Sequence, residues 1–309
     1  MSLKDVKTKI GAISKIHQVT KAMEAVSAVK MRRSQASAIE MRPFAMHSIG
    51  LLRRLARLGA TKEHELIKQH EEKKNTLMIV ITSDRGLAGP LNNYVLKAAH
   101  DHLKRKGWEE KKDHVSIIAI GKKGGEYFEK RGYNVIEHLE KWGEGVPMGD
   151  PDALAKSLIK DYVKQKYDRV MLVYGNFEST FNQSAVVRRL LPISYAAVEE
   201  LIDGIVPTRG KYSELRNESH EEEVNEYMFE PDEGTVLDEL LPYLIGVMLY
   251  HAVLQANASE HSSRMVAMKS ASDRARDLTK ELTLKFNKER QASITAEVSE
   301  ITSGIEAMR

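Results

Sequence analysis

The sequence predicts an α/β fold in two parts: a long antiparallel coiled coil made by the N- and C-terminal helices, and a central parallel-sheet, Rossmann-like domain between them. Three observations carry this. Apolar residues recur three and four apart over the first 57 positions and again over about the last 65, the period of an amphipathic helix. Between them lie three continuous apolar runs rich in Ile and Val, as expected of strands buried on both faces, with helical stretches separating them. Neither terminal stripe has anything near it in sequence that could turn back to cover it. Winding the two around each other is the economical way to bury both.

The elements follow in chain order. Residues 1–58 form the N-terminal coiled-coil helix, with Leu3, Val6, Ile10, Ile13, Ile16, Val19, Met23 and Val26 as its stripe. Pro43 is expected to kink this helix without ending it, because "FAMHSIGLLRRLARL" resumes the pattern at once. The α/β domain spans 75–232. Its strands are "NTLMIVIT" (75–82), "HVSIIAIG" (114–121) and "DRVMLVYG" (168–175), with helices near 91–106, 122–131 and 151–166 and a further strand in "SAVVRRLLPIS" (184–194). An acidic insertion near 199–226 reads as a surface loop. The C-terminal coiled-coil helix takes 237–309, its pattern returning after Pro242, with a seam of Met265, Met268, Ala271, Ala275, Leu278, Leu282 and Phe286. Beyond it Ile294, Val298, Ile301, Ile305 and Met308 continue the stripe and are expected to pack on the N-terminal helix. "NKERQAS" (287–293) interrupts them with charge and amide.

Composition narrows the function. A chain of 309 residues with 42% hydrophobic content can build a real core, and a formal charge of +3 is small for a dedicated nucleic-acid protein. The charge is unevenly placed: residues 1–57 hold twelve Lys and Arg against three acids, whereas 199–239 hold fourteen acids against three bases. The absence of cysteine removes disulfides and thiolate metal sites and suits a reducing compartment. "MSLKDVKTKI" lacks the apolar core of a signal peptide, and no window is expected to reach the roughly 18–20 apolar residues of a membrane span. Any membrane association would then be peripheral, without direct insertion.

Candidate chemistry is sparse. "SDRGLAGP" (83–90) follows a strand and precedes a helix, where α/β proteins bind phosphate, yet it lacks both the P-loop ending and the three spaced glycines of a dinucleotide site. A tight turn, with Asp84 and Arg85 contacting something outside, fits better. "GKKGGEYF" (121–128) has the wrong glycine spacing for a phosphate loop. "ASEHSSRM" (258–265) brings Ser, Glu and His together, but neighbours on one helix point to different faces and do not make a triad. The histidines show no metal-ligand spacing. No catalytic residue, cofactor or metal is expected.

"VTKAM" (19–23), "EAVSAVKMRRSQ" (24–35), "MRPFA" (41–45), "SDRGLAGPLN" (83–92), "YMFEPDEGTVLDELLP" (227–242), "ASEHSSRMVAMKSASDRARDL" (258–278) and "FNKERQASITAEVSEITSG" (286–304) together resemble the gamma subunit of F-type ATP synthase, the central rotor shaft. The family's usual Cys, Gly and Phe are replaced by Ala88, Pro90 and Leu91, and the middle of the chain shares only the general α/β type. The resemblance implies a non-catalytic rotor. Rotation of an asymmetric shaft would couple proton (or sodium) flow to ATP synthesis or hydrolysis in the alpha–beta ring. Implied partners are the alpha and beta subunits, the epsilon subunit and the membrane c-ring, at the cytoplasmic face of a bacterial inner membrane. Met23, Arg264, Arg290 and Gln291 occupy motif positions that contact the alpha–beta ring, and Asp84 and Arg85 lie in the turn on the membrane-ring and epsilon side. Two other readings compete: a basic coiled-coil scaffold or nucleic-acid adaptor, and an α/β nucleotide enzyme with helical arms.

Overall fold

A computed structural model describes residues 3–57, 64–70, 74–143, 145–194 and 229–308, with the isolated positions 196, 198 and 214. Apart from Glu214, the acidic insertion lies outside the described residues. The chain divides into two compact units, one of residues 28–264 and one of residues 1–27 with 265–309.

In the larger unit a five-stranded sheet runs in the order β3-β2-β1-β4-β5, with β1 Thr76–Ile81, β2 Val115–Ile120, β3 Asn134–Leu139, β4 Arg169–Phe177 and β5 Gln183–Leu191. β1 to β4 are parallel. β5 pairs antiparallel with β4, so the sheet is mixed at that edge and not parallel throughout. The reason is local: residues 178–182 are too few for the crossover that a parallel partner needs. Helices α3 Leu91–Arg105 and α4 Lys122–Glu129 fall within the stretches that the sequence suggested, and α5 Gly149–Val163 starts two residues before its own.

The central strands explain their own continuous apolarity. Leu77, Ile79 and Ile81 of β1 enter one core with Leu172 and Tyr174, while Met78 and Val80 enter another with Met171 and Val173. Each strand is therefore apolar on both faces. α3 covers the second core through Val95, Ala99 and Leu103. The first is covered by α2 (Arg42–Arg57) through Leu52 and Leu55, by α5 through Leu158, and by the last helix, α6 (Glu233–Ala307), through Leu241, Ile245 and Val253.

Pro43 lies just inside α2, beyond a one-residue break at Met41 that separates it from α1 (Leu3–Glu40). The hydrogen-bond ladder crosses the break through Met41 N–H to Ser37 O at 3.3 Å and Ala45 N–H to Met41 O at 3.1 Å. α6 begins well before Pro242, which lies inside it. Asp232 starts it as a cap, accepting from the Thr235 N–H at 2.9 Å and its hydroxyl at 2.8 Å. Those two bonds, the backbone one first, hold the Asp232 carboxyl below its ordinary pKa.

One stretch of α6 is long and apolar enough to cross a membrane, contrary to the sequence expectation. Its apolarity has another cause, because 61% of the window is buried. Leu241, Ile245, Met248, Leu249, Ala252 and Val253 are the first core's own wall.

The smaller unit is an antiparallel helix pair, in which the His17 ring nitrogen lies 3.0 Å from Ser272 O and 2.9 Å from its hydroxyl. Its seam differs from the expected stripes. On α1 it follows Val6, Ile10, Ile13, His17, Thr20 and Ser27, while Ile16, Val19 and Val26 stand 53–58% exposed on an adjacent face. On α6 the buried seam positions include Met268, Ser272 and Ala275. Both sets step by three, four or seven, but polar residues occupy seam positions that an apolar count skips.

Ile294, Val298, Ile301, Ile305 and Met308 do not pack against the N-terminal helix. They are 52–90% exposed. Register gives the reason: with His17 opposite Ser272, Leu3 falls opposite about residue 286 at equal rise per residue. The α6 residues beyond overhang the start of α1.

Candidate functional site

In open α/β sheets the ligand crevice lies outside the C-terminal strand ends, where the strand order reverses. Here that place adjoins the ends of β1 and β4, and α6 fills it. Ser259 donates to Gly175 O at 3.0 Å, Ser262 to Thr180 O at 2.6 Å, and Ser263 to Ala88 O at 2.7 Å. Asn257 donates to Trp142 O at 2.9 Å. A Cβ on Gly175 would stand 3.0 Å from Leu91 and 3.2 Å from Ser259, so there is no room for a nucleotide between helix and sheet. The serines of "ASEHSSRM" fasten a helix rather than attack a substrate. Their spacing of three and four was the available signal that they share a face.

The "SDRGLAGP" turn is braced by its own chain. Ser83 N–H donates to Asn92 Oδ1 at 3.1 Å, and the Asn92 amide donates to the Ser83 hydroxyl at 2.7 Å. That hydroxyl in turn donates to Arg85 O at 2.7 Å. Leu87 sits at φ 66°, a strained left-handed conformation, and is 62% exposed. Pro90 serves as the N-cap of α3, where its missing N–H does no harm. The two oxygens of Asp84 accept from the backbone amides of Lys122 at 3.1 Å and Lys141 at 2.9 Å, tying this turn to the ends of β2 and β3. Gly121, at φ 90°, closes the β2 end; a Cβ there would collide with Thr82 O. Of the glycines in "GKKGGEYF", Gly121 thus serves close backbone approach, while Gly124 and Gly125 make room for the Thr82 and His138 side chains.

Arg264 links helix and turn. It is 8% exposed, its Nη1 lies 2.6 Å from Glu260 Oε1, and its Nη2 donates to Arg85 O and Gly86 O at 3.3 Å each. Burial raises the Glu260 pKa, Arg264 opposes that rise, and Asp84 adds to it. Sequence reasoning singled out Arg264 but met Glu260, one helical turn before it, only as the Glu of a dismissed triad. His251, nearly fully buried further up α6, has its pKa pushed down to about 3 by burial, with the Arg188 charge adding to the effect. It is a neutral core group.

The Arg85 side chain is exposed. In the helix pair Met23 is half-buried, and Arg290 and Gln291 are exposed at the root of the overhang. The Gln291 carbonyl accepts from the Thr295 hydroxyl at 2.9 Å.

A family model described as ATP synthase matches residues 2–308. The ATP synthase gamma chain of Roseiflexus castenholzii is 36% identical over 310 residues, covering 99% of this chain and 98% of its own. That of Pelotomaculum thermopropionicum is 36% identical over 307 residues, with 99% of each covered. Among solved structures, a chain of the Euglena gracilis mitochondrial ATP synthase (OSCP, F1 and c-ring) aligns with TM-score 0.60 at 18% identity, covering 99% of this chain and 94% of that one. A chain of the Tetrahymena thermophila mitochondrial ATP synthase central stalk and c-ring aligns with TM-score 0.57 at 23% identity, covering 82% and 99%. At such identities the structural likeness establishes the fold.

Proposed function

This chain belongs to the ATP synthase gamma-chain family, and from that premise we propose how its residues serve the work of a central rotor stalk. The gamma chain is non-catalytic; the catalytic sites lie in the beta subunits, and rotation of the stalk couples ion flow to ATP synthesis or hydrolysis. Its partners are the alpha and beta subunits, epsilon and the c-ring, and it is part of the membrane-associated complex. For this chain we place that complex on the cytoplasmic face of a bacterial inner membrane. The division into 1–58, 75–232 and 237–309 then corresponds to two shaft helices and a foot.

The observation that carries the reading is the α6 overhang. A helix whose Ile294, Val298, Ile301, Ile305 and Met308 are exposed needs an apolar sleeve from elsewhere. Arg290 and Gln291 stand at its root with exposed side chains, placed to meet acidic or carbonyl groups of the alpha–beta ring. Met23 serves the same contact from α1. Arg264 is enclosed by Glu260 and the turn carbonyls, so its part is to hold the turn in shape. Asp84 braces that turn from within, and the exposed Arg85 guanidinium faces the epsilon and membrane-ring side. The filled switch-point crevice speaks against the nucleotide-enzyme reading.

The test is native mass spectrometry of the complex purified through this chain. One copy with three alpha and three beta subunits is expected. Retention on heparin without any such hexamer would instead favour the basic scaffold. In a reconstituted alpha–beta–gamma complex, Arg290→Glu should lower gamma retention and ATP turnover while leaving the helix content of the free chain unchanged. Parental behaviour would make Arg290 an ordinary solvated residue.

A further inference from the structure

On the α3 side of the sheet, the C-terminal end of α3 meets β4 and β5 over a cleft of about 410 Å³. Lys106, Arg169 and Arg189 line it, beside His102 and Trp108. Arg188 also borders it, and strand alternation in the sequence places Arg169 and Arg189 on one face. Arg189 pairs with Met171 across β4–β5, and Arg169 is two residues before Met171 on the same face.

The cleft's charge is one-sided. Asp168 is the single carboxylate among its described lining residues. Its oxygens already serve the His70 ring at 3.3 Å and the backbone amides of Lys74 and Asn75 at 2.9 and 2.7 Å. Arg169 stacks on Trp108, its guanidinium carbon 4.9 Å from a ring centroid, a contact that orients the group without neutralising it. The Nε of Arg189 is buried and has no hydrogen-bond partner among the described residues, and His102 Nε2 is in the same position. An unmet buried donor such as the Arg189 Nε–H is uncommon and costly. The carbonyls that end α3 would repel an anion, but three are already engaged. His102 O, Leu103 O and Lys104 O accept from the amides of Lys106, Trp108 and Gly107. Burial, followed by the charges of Arg105, Lys106 and Arg169, holds the His102 pKa below its ordinary value. The imidazole is therefore neutral near pH 7 and adds no charge of its own.

We propose that this cleft is a phosphate site, in which Lys106, Arg169 and Arg189 hold a phosphate group, either free or carried on a lipid headgroup. Two guanidinium forks and an ammonium supply the several directed, charged donors that the anionic oxygens of a phosphate or phosphodiester accept. The site is separate from the filled switch-point crevice, which lies at the other end of β4.

The experiment uses the full chain. Thermal unfolding and titration calorimetry with pyrophosphate, against sodium chloride of matched ionic strength, test the free anion. Co-sedimentation with phosphatidylcholine vesicles, with and without phosphatidylglycerol, tests the headgroup. Saturable stabilisation by pyrophosphate beyond that of chloride is expected, weakened about tenfold or more by Arg189→Gln. Lys106→Gln changes an exposed side chain and should fold as the parent does, with binding reduced a few-fold. Capture by phosphatidylglycerol vesicles alone, lost in Arg189→Gln, would name the headgroup as the source. The proposal is overturned if neither probe binds, if chloride reproduces the shift, or if both variants bind like the parent.

Discussion

Replacing Arg264 with Met keeps much of the side-chain volume and removes the charge that neutralises Glu260. Arg264 and Glu260 are 10% and 13% exposed at the side chain, with 2.6 Å between Nη1 and Oε1. Removing one member of such a pair costs about 3–5 kcal/mol, because the other charge is left buried. The two bonds to Arg85 O and Gly86 O, each 3.3 Å, are also lost. The deficit must depend on pH. Burial already raises the folded-state pKa of Glu260 above 4.5, and Arg264 restrains it. Without Arg264 it rises further, so the folded variant binds a proton more tightly than the unfolded chain does. Stability is then regained as pH falls from neutrality toward 4.5. Once Glu260 is protonated, only hydrogen bonds and packing remain missing, about 1–3 kcal/mol. Urea unfolding of parent and variant near pH 7.5 and near pH 5 reads both quantities. A neutral-pH deficit below about 1 kcal/mol, or one that does not shrink on acidification, would refute the latch.

Gly121→Ala forces a left-handed φ of 90° and a collision with Thr82 O, so the chain should fail to fold or lose several kcal/mol in denaturant unfolding. His251 is held neutral, with its folded pKa at about 3 against 6.5, so stability falls with pH below 6.5 as only the unfolded chain gains the proton. The slope is at most about 1.4 kcal/mol per pH unit, and His251→Leu should flatten it in stability–pH profiles. Removing residues 294–309 should leave the urea midpoint of the free chain within error, because the apolar stripe there is exposed. The same truncation should weaken association with the alpha–beta ring in pull-down.

Much of the fold was legible because its signals are one-dimensional. A strand buried on both faces must be apolar throughout, and the runs near 75–82, 114–121 and 168–175 correspond to β1, β2 and β4. β3 escaped notice because four of its six residues are exposed and "NVIEHL" shows no apolar run. The antiparallel direction of β5 was not written in its own residues; it follows from the short connection before it. In the helix pair the apolar count led to Ile16 and Val19 because the seam spends positions on His17 and Thr20, whose polar atoms bond to Ser272 and to α1's own carbonyls. The overhang depends on register, which no single helix encodes. Arg264 was visible as a motif position, but its enclosure needed Glu260 and the turn carbonyls together in space. The apolar window of α6, long enough for a span, was passed over in the sequence, and the core it walls accounts for it.

The central claim is that this chain turns within its partners. It is tested most directly by single-molecule observation of a probe fixed to an exposed position of the α/β unit, such as Lys97 on α3, with the alpha–beta ring anchored to a surface. On adding ATP, the account predicts unidirectional rotation with three dwell positions per turn, one for each catalytic site. Sustained ATP hydrolysis beneath a stationary probe, in a complex shown to retain this chain, would contradict it.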